Sequence, residues 1–241
     1  MAKILLIESA TDVCSVAIAV DGQLLALEEN GDTMNHASVL TLQIEACVRR
    51  TGISLAELDA VCVSRGPGSY TSLRVGASVA KGICYALDKP LLAVDTLAAL
   101  AWASRATLSD QSDETSFFVP MLDARRDEVW MAVYNAHLEL LIPAEPFILD
   151  NNMFEEKISS VSGVKEAGSK SLYYMSGNGC IKARSVIFFE RTVWSEKVKC
   201  SASFLNELAE SKFQLRDFQD IAYFEPFYMK PPNITISNKV F

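Results

Sequence analysis

The feature that most constrains this chain is the order of its first eight segments: three short apolar runs, then helix-patterned and strand-patterned stretches in alternation. Residues 3 to 8 form an apolar run closed by Glu8, as a buried strand does. Cys14 to Val20 and Gln23 to Glu29 flank Asp21-Gly22. Asp-Gly between apolar runs is a strong hairpin signal, because a tight turn with the twist of the flanking strands needs positive φ at both positions. Asn35 to Thr51 then reads as a helix capped by Gly52, Asp59 to Ser64 as a strand, and Gly66-Pro67-Gly68-Ser69 as a loop into a helix from Thr71 to Leu87. Pro90 to Val94 reads as a strand and Thr96 to Ala106 as a helix. This order predicts a mixed sheet with helices on its faces.

A polar, acidic stretch from Ser109 to Ser116 marks a boundary. Beyond it, Phe117 to Asp123 and Glu128 to Tyr134 read as strands joined by a charged turn, Asn151 to Ser160 as a helix, Leu172 to Ser176 as a strand and Ala202 to Phe213 as a helix. Pro226, Pro231 and Pro232 keep the tail from being helical throughout. The expected organisation is a domain over residues 1–106, a second over 107–213 and a tail over 214–241, for which packing back on the first domain is one arrangement. A chain of 241 residues, half of them hydrophobic, can build both cores. No internal repeat is visible.

Thirty acids against 22 Lys and Arg give a net charge of −8, which disfavours autonomous binding to a phosphate backbone. Mean hydropathy is high at +0.17, yet no run approaches the ~18 to 20 apolar residues of a membrane span. Part of that apolar content is therefore expected in protein contacts. The opening apolar run meets Glu8 too soon for a signal-peptide core. The six cysteines form no CxxC pair, and four lie in apolar periodic segments. They read as buried thiols in a reducing compartment, which implies a cytoplasmic protein.

Chemistry-bearing residues are sparse. The glycine loop lacks the Lys-Ser/Thr pair of a phosphate loop and the Gly-x-Ser-x-Gly spacing of a nucleophile elbow. Two readings stand for Gly66, Gly68, Ser69 and Thr71. One is a sharp turn in which Ser69 or Thr71 caps the helix. The other is a helix N-terminus that meets an anion or nucleotide at a partner interface. Asp123, Arg125, Arg126, Asp127 and Glu128 form either a solvated hairpin tip or an acid/base pair with no nucleophile to serve. His36 and His137 are the only histidines, far apart, so no two-histidine metal site can be assembled locally. No catalytic residue and no metal ligand is assigned.

The helices carry a different signal. Thr71 to Leu87 holds only two charges, Arg74 and Lys81. Leu73, Ala77, Ala80, Cys84 and Leu87 make one apolar stripe, and Ser72, Gly76, Val79 and Ile83, beside Val75, make another. The preceding helix presents Leu40, Ile44, Cys47 and Val48 on one face and Val39, Leu42 and Ala46 on another. A helix packed on one sheet needs a single stripe. The second faces form either a docking surface for another chain or part of a larger core.

Three stretches together resemble the TsaB (YeaZ) family: Ile4 to Thr11 with Cys14-Ser15-Val16-Ala17; Gly66-Pro67-Gly68-Ser69-Tyr70-Thr71-Ser72-Leu73-Arg74-Val75-Gly76 leading into Ala80-Lys81-Gly82; and Leu122-Asp123-Ala124-Arg125-Arg126-Asp127-Glu128-Val129. The match is good over residues 3 to 135 and thinner beyond, at Gly177-Asn178-Gly179 and Glu225-Pro226-Phe227-Tyr228. Ser72 departs from it, standing where the family usually has glycine. The resemblance implies a ribonuclease-H-like, actin-like α/β fold of two domains, each a mixed sheet with flanking helices. It further implies a subunit that docks by its first domain on TsaD, the threonylcarbamoyl transferase of which the family is a paralogue. A small ATPase, TsaE, joins through that complex. Where TsaD has its two metal-binding histidines this chain has Thr96 and Leu100, and Ser9-Ala10-Thr11 lacks the glycine that follows the acid in actin-like ATPases. A non-enzymatic scaffold of tRNA modification is therefore expected. It would be cytoplasmic and without a cofactor, a homodimer when alone, and in touch with tRNA only through the complex. The rival reading is an actin-like ATPase or a glycoprotease-type peptidase.

Overall fold

The computed structural model describes residues 2–31, 36–108, 115–161 and 171–228. Asp21 and Gly22 both take positive φ, 49° and 73°, and this turn sets Val20 opposite Gln23. It joins β2 (Cys14–Val20) to β3 (Gln23–Asn30), and β1 (Lys3–Glu8) lies antiparallel on the other side of β2. β4 (Ala60–Gly66) and β5 (Leu91–Asp95) add in parallel, giving the order β3-β2-β1-β4-β5. α1 (His36–Thr51) and α2 (Tyr70–Leu87) are the intervening crossovers.

Both faces of this sheet are covered, so β1 is apolar at consecutive positions instead of alternating. Leu5 and Ile7 face α1 and α2, in a core with Leu40, Ile44, Cys47, Ala77, Ala80 and Cys84. Ile4 and Leu6 face the other way, with Ala99 of α3 (Thr96–Ala106).

The second sheet contains β6 (Ser116–Asp123), β7 (Glu128–Tyr134), β8 (Leu140–Ile148), β9 (Leu172–Ser176) and β10 (Thr192–Ser195), in the order β10-β9-β6-β7-β8. Its first three strands are antiparallel and its last two join in parallel. Counted from its own first strand, this repeats the order of the first sheet, the ribonuclease-H-like arrangement twice over. α4 (Asn151–Ser159) and α5 (Cys180–Ala183) are its crossovers, and Phe154, Ile158, Cys180 and Ala183 enter its core. Between the sheets lies α3, whose Leu97, Leu100 and Ala101 pack with Phe118, Leu122, Trp130 and Ala132.

Two sequence expectations need correction. A 3-10 turn, Ala202–Leu205, and α6 (Asn206–Gln214) belong to the first domain and not to a unit over 107–213. Ala202, Leu205 and Ala209 pack on Ala17, Ala19, Cys62 and Leu92 of the first sheet, whose small side chains admit the turn closely. Hydrogen bonds from Ala202 N–H to Ser15 Oγ (2.7 Å) and from Asn206 Nδ2 to the Gly22 carbonyl (2.6 Å) hold it there. Second, β8, β10 and α5 had no sequence counterpart. Pro143 and Pro146 sit in β8, which tolerates them as an edge strand. β10 and α5 are four residues each, too short to show a period.

The chain after α6 returns to the first domain. Gln219 N–H donates to the Leu91 carbonyl at 2.8 Å, and Phe224 is buried in the core under α1 and α2. Of the boundary expected over Ser109 to Ser116, residues 109–114 lie outside the described residues and Ser116 already begins β6; the helix start at Asn35 and residues 229–241 of the expected tail also lie outside them. Among the described residues no helix is long and apolar enough to cross a membrane.

Candidate functional site

The ends of β1 and β4 and the head of α2 meet at one place, where the fold's chemistry would be sought. Glu8 closes β1 and turns inward. Its Oε1 accepts from Ala10 N–H at 2.6 Å and from the Ser64 hydroxyl at 2.8 Å. The side chain is fully buried and its Oε2 has no partner among the described residues. Burial pushes its pKa up to about 7, against the opposing pull of those hydrogen bonds. Glu8 is therefore tied to its own turn.

Beside it the glycine loop is shut. Ser69 N–H donates to the Ala10 carbonyl at 2.7 Å. Ser69 Oγ accepts from Ser72 N–H at 3.5 Å and from the Ser72 hydroxyl at 3.0 Å, which caps α2. A Cβ on Gly68 would overlap the Ala10 carbonyl oxygen and lie 2.7 Å from Ala10 Cβ, so the loop rests directly on the Ser9-Ala10 turn. Gly66 is buried with φ 114°, and Thr71 is exposed at the rim of α2. The amides of Ser69 and Ser72 are committed within the chain, which favours the capping reading over the anion reading. Gly68→Ala is expected to cost about 3 kcal/mol through overpacking against backbone, lowering the melting temperature by roughly 10 °C. Gly82→Ala, where a Cβ meets nothing within 4 Å, is the control and should stabilise slightly. Thermal melting of both variants checks the contrast.

The eight residues expected on a docking face divide. Ser72 and Gly76 are buried by the chain itself. A Cβ on Gly76 would overlap Ser9 Oγ and lie 3.5 Å from Val63 Cγ2. These small residues let α2 settle on its own sheet, so the sequence expectation that they meet a partner is corrected. Val39, Ala46, Val75, Val79 and Ile83 are half-buried, and Leu42 is 63% exposed. Val75, Val79 and Ile83 pack on the margin of the first core. A groove of about 440 Å³ runs between the first turn of α1 and the first half of α2, lined by Ala37, Tyr70, Thr71, Arg74, Val75, Ser78 and Val79.

The fold is that of a solved Pseudomonas aeruginosa protein described as similar to peptidase YeaZ. The two share 22% identity and a TM-score of 0.77, over 95% of this chain and 100% of that one. The family model for TsaD, tRNA N6-adenosine threonylcarbamoyltransferase, matches residues 32–224. The tRNA threonylcarbamoyladenosine biosynthesis protein TsaB of Haemophilus influenzae is 30% identical over 129 residues, 54% of this chain and 52% of that protein. The Escherichia coli protein of the same name is 30% identical over 132 residues, 55% and 54% of the two chains. This chain belongs to the TsaD family and is similar to its TsaB (YeaZ) proteins. It spans about half the length of those curated relatives.

Family membership gives the remaining candidate residues a frame. Thr96 and Leu100 are both buried in the layer between the sheets, Leu100 among apolar side chains. His36 is buried in the first turn of α1, and His137 is exposed on the turn after β7. The charged cluster forms a hairpin tip with Arg125 and Arg126 at positive φ, and Lys182 Nζ holds Asp123 Oδ1 at 2.7 Å. All six cysteines are buried and free. Burial raises their thiols, to about 11 for Cys14, Cys47 and Cys84, so thiolate nucleophiles are not available near neutral pH. One contact was not legible in the sequence. Arg74 is bound by Tyr228, a contact across most of the chain that no local pattern announces.

Proposed function

We propose that this chain is a non-catalytic subunit in the biosynthesis of threonylcarbamoyladenosine on tRNA, acting by docking on a TsaD-type transferase through α1 and α2. The observation that carries the reading is one juxtaposition: the loop that could have met a nucleotide is closed on Ala10, while the helix beside it presents an open apolar flank. A phosphate would have to displace Ser69 N–H from Ala10, whereas a partner helix needs nothing moved to cover Leu42, Val75, Val79 and Ile83. Family membership supports the pathway, and the relatives' names supply the product. The same face would pair two copies of the chain when the transferase is absent. A TsaE-type ATPase would join through the assembled complex. The −8 charge favours tRNA contact through the partner.

The inward-turned Glu8 gives no support to an ATPase reading, since its Oε1 is taken up by Ala10 N–H and by the Ser64 hydroxyl of β4. The test is reconstitution: the transferase subunit, tRNA and an activated threonylcarbamoyl donor, with and without this chain. Modification should rise at least about tenfold on adding the chain, and the chain without the transferase should modify nothing. Turnover of ATP or modified tRNA by the chain alone, lost in Glu8→Ala, would overturn the proposal.

A further inference from the structure

Helix α2 carries two cations, Arg74 and Lys81, and the same returning segment binds both. Lys81 Nζ donates to the carbonyls of Ala222 (3.3 Å) and Phe224 (3.0 Å). Arg74 Nε donates to the Tyr228 hydroxyl at 3.1 Å. Its guanidinium lies 4.3 Å from the centre of the Tyr70 ring and 5.6 Å from that of Tyr228, and the two rings stand 4.6 Å apart. The segment is itself anchored at both ends. Gln219 N–H reaches the Leu91 carbonyl at 2.8 Å, Phe227 N–H reaches the Arg65 carbonyl at 2.6 Å, and Phe224 is buried between them. It passes so close to the end of β4 that a Cβ on Gly66 would sit 2.7 Å from the Phe227 carbonyl oxygen.

We infer that this strap, Gln219 to Tyr228, keeps the docking face apolar by holding both α2 cations to one side, with Tyr228 as the residue that positions Arg74. The inference rests on the docking proposal and adds a residue and a device to it. Arg74 lines the same groove as Val75 and Val79, at its edge, where Glu225 of the strap is the carboxylate that acts on it. A guanidinium released from Tyr228 would turn further over the groove, and an apolar helix covering it there would bury the cation away from that charge. Held over the Tyr70 ring by cation–π contact, with Tyr228 packed beside that ring and accepting its hydrogen bond, it stays on the rim. The partner surface that fits is therefore an apolar helix face with no carboxylate opposite the groove.

The experiment is calorimetric titration of the full chain against the purified transferase subunit, with thermal melting of every variant. Tyr228→Ala should weaken docking by about tenfold or more, and Tyr228→Phe, which keeps the ring, by about threefold at most. Adding Arg74→Ala to Tyr228→Ala should restore most of the affinity, because no mobile cation remains. Rescue separates this device from general loss of structure, which removing a second side chain would not repair. Equal affinity of wild type and Tyr228→Ala overturns the inference and leaves the docking proposal standing, as does a loss that Arg74→Ala fails to rescue. A wild-type chain that does not bind the transferase removes both.

Discussion

Gly76→Glu is expected to prevent folding, whereas Leu42→Glu is expected to leave the fold intact and abolish docking. Both residues were candidates for the same face, and their surroundings now separate them. Gly76 is buried where even a Cβ overlaps Ser9 Oγ. A glutamate there must both overpack the contact with Ser9 and β4 and bury an unpaired charge, together about 5 kcal/mol, comparable to the whole stability of a domain. Leu42 is 63% exposed on α1. Substitution at such a position changes stability by about 0.5 kcal/mol at most. Under an apolar partner helix, the same carboxylate costs several kcal/mol, enough to weaken the complex about a hundredfold or more. Circular dichroism and melting beside a binding titration read both outcomes. A folded Gly76→Glu chain would show that α2 is packed otherwise than described. Undiminished docking by Leu42→Glu would take the partner off this face.

The second large effect concerns pH. Glu8 in the folded chain holds its proton up to about pH 7, against an ordinary value of 4.5. Desolvation is the leading cause, and hydrogen bonds from Ala10 and Ser64 oppose it. Between pH 4.5 and 7 the folded chain is thus protonated at this site where the unfolded chain is ionised. Stability contributed here falls as pH rises through that window and levels off above it, a loss on the order of 3 kcal/mol. Glu8→Gln removes the titration while keeping the shape. The variant should match the wild type near pH 4.5 and exceed it by about 2 to 3 kcal/mol at pH 8. Denaturant unfolding of both proteins across this range measures the difference. Parallel profiles would mean that Glu8 is ionised without cost, through a partner for Oε2 beyond those described.

The first sheet was legible because its signals are local. Asp21-Gly22 dictates the hairpin, the continuous apolar run of β1 announces burial on both faces, and the glycine loop marks the entry to α2. The second sheet repeats the strand order with little of that signal, since β8 carries two prolines and β10 is four residues long. α6 looked like part of the second domain because it follows it in sequence. Only the small residues of β2, Ala17 and Ala19, show why it crosses back, and they act through packing that periodicity does not encode. The stripe on α2 shows the same limit at the candidate site. Ser72, Gly76, Val79 and Ile83 form a continuous pattern on a helical wheel, but Ser9 and Val63 decide that its small members face inward. Size at a helix position says that something comes close. Whether that is a partner or the chain's own sheet depends on the tertiary arrangement.

The central claim is that the flank of α1 and α2 docks a TsaD-type subunit, and sedimentation velocity of the purified pair tests it most directly. Wild-type chain and transferase should move as one complex, and Leu42→Glu and transferase as two separate species. Independent sedimentation of the wild-type pair, or a Leu42→Glu chain that travels with the transferase as the wild type does, would contradict it.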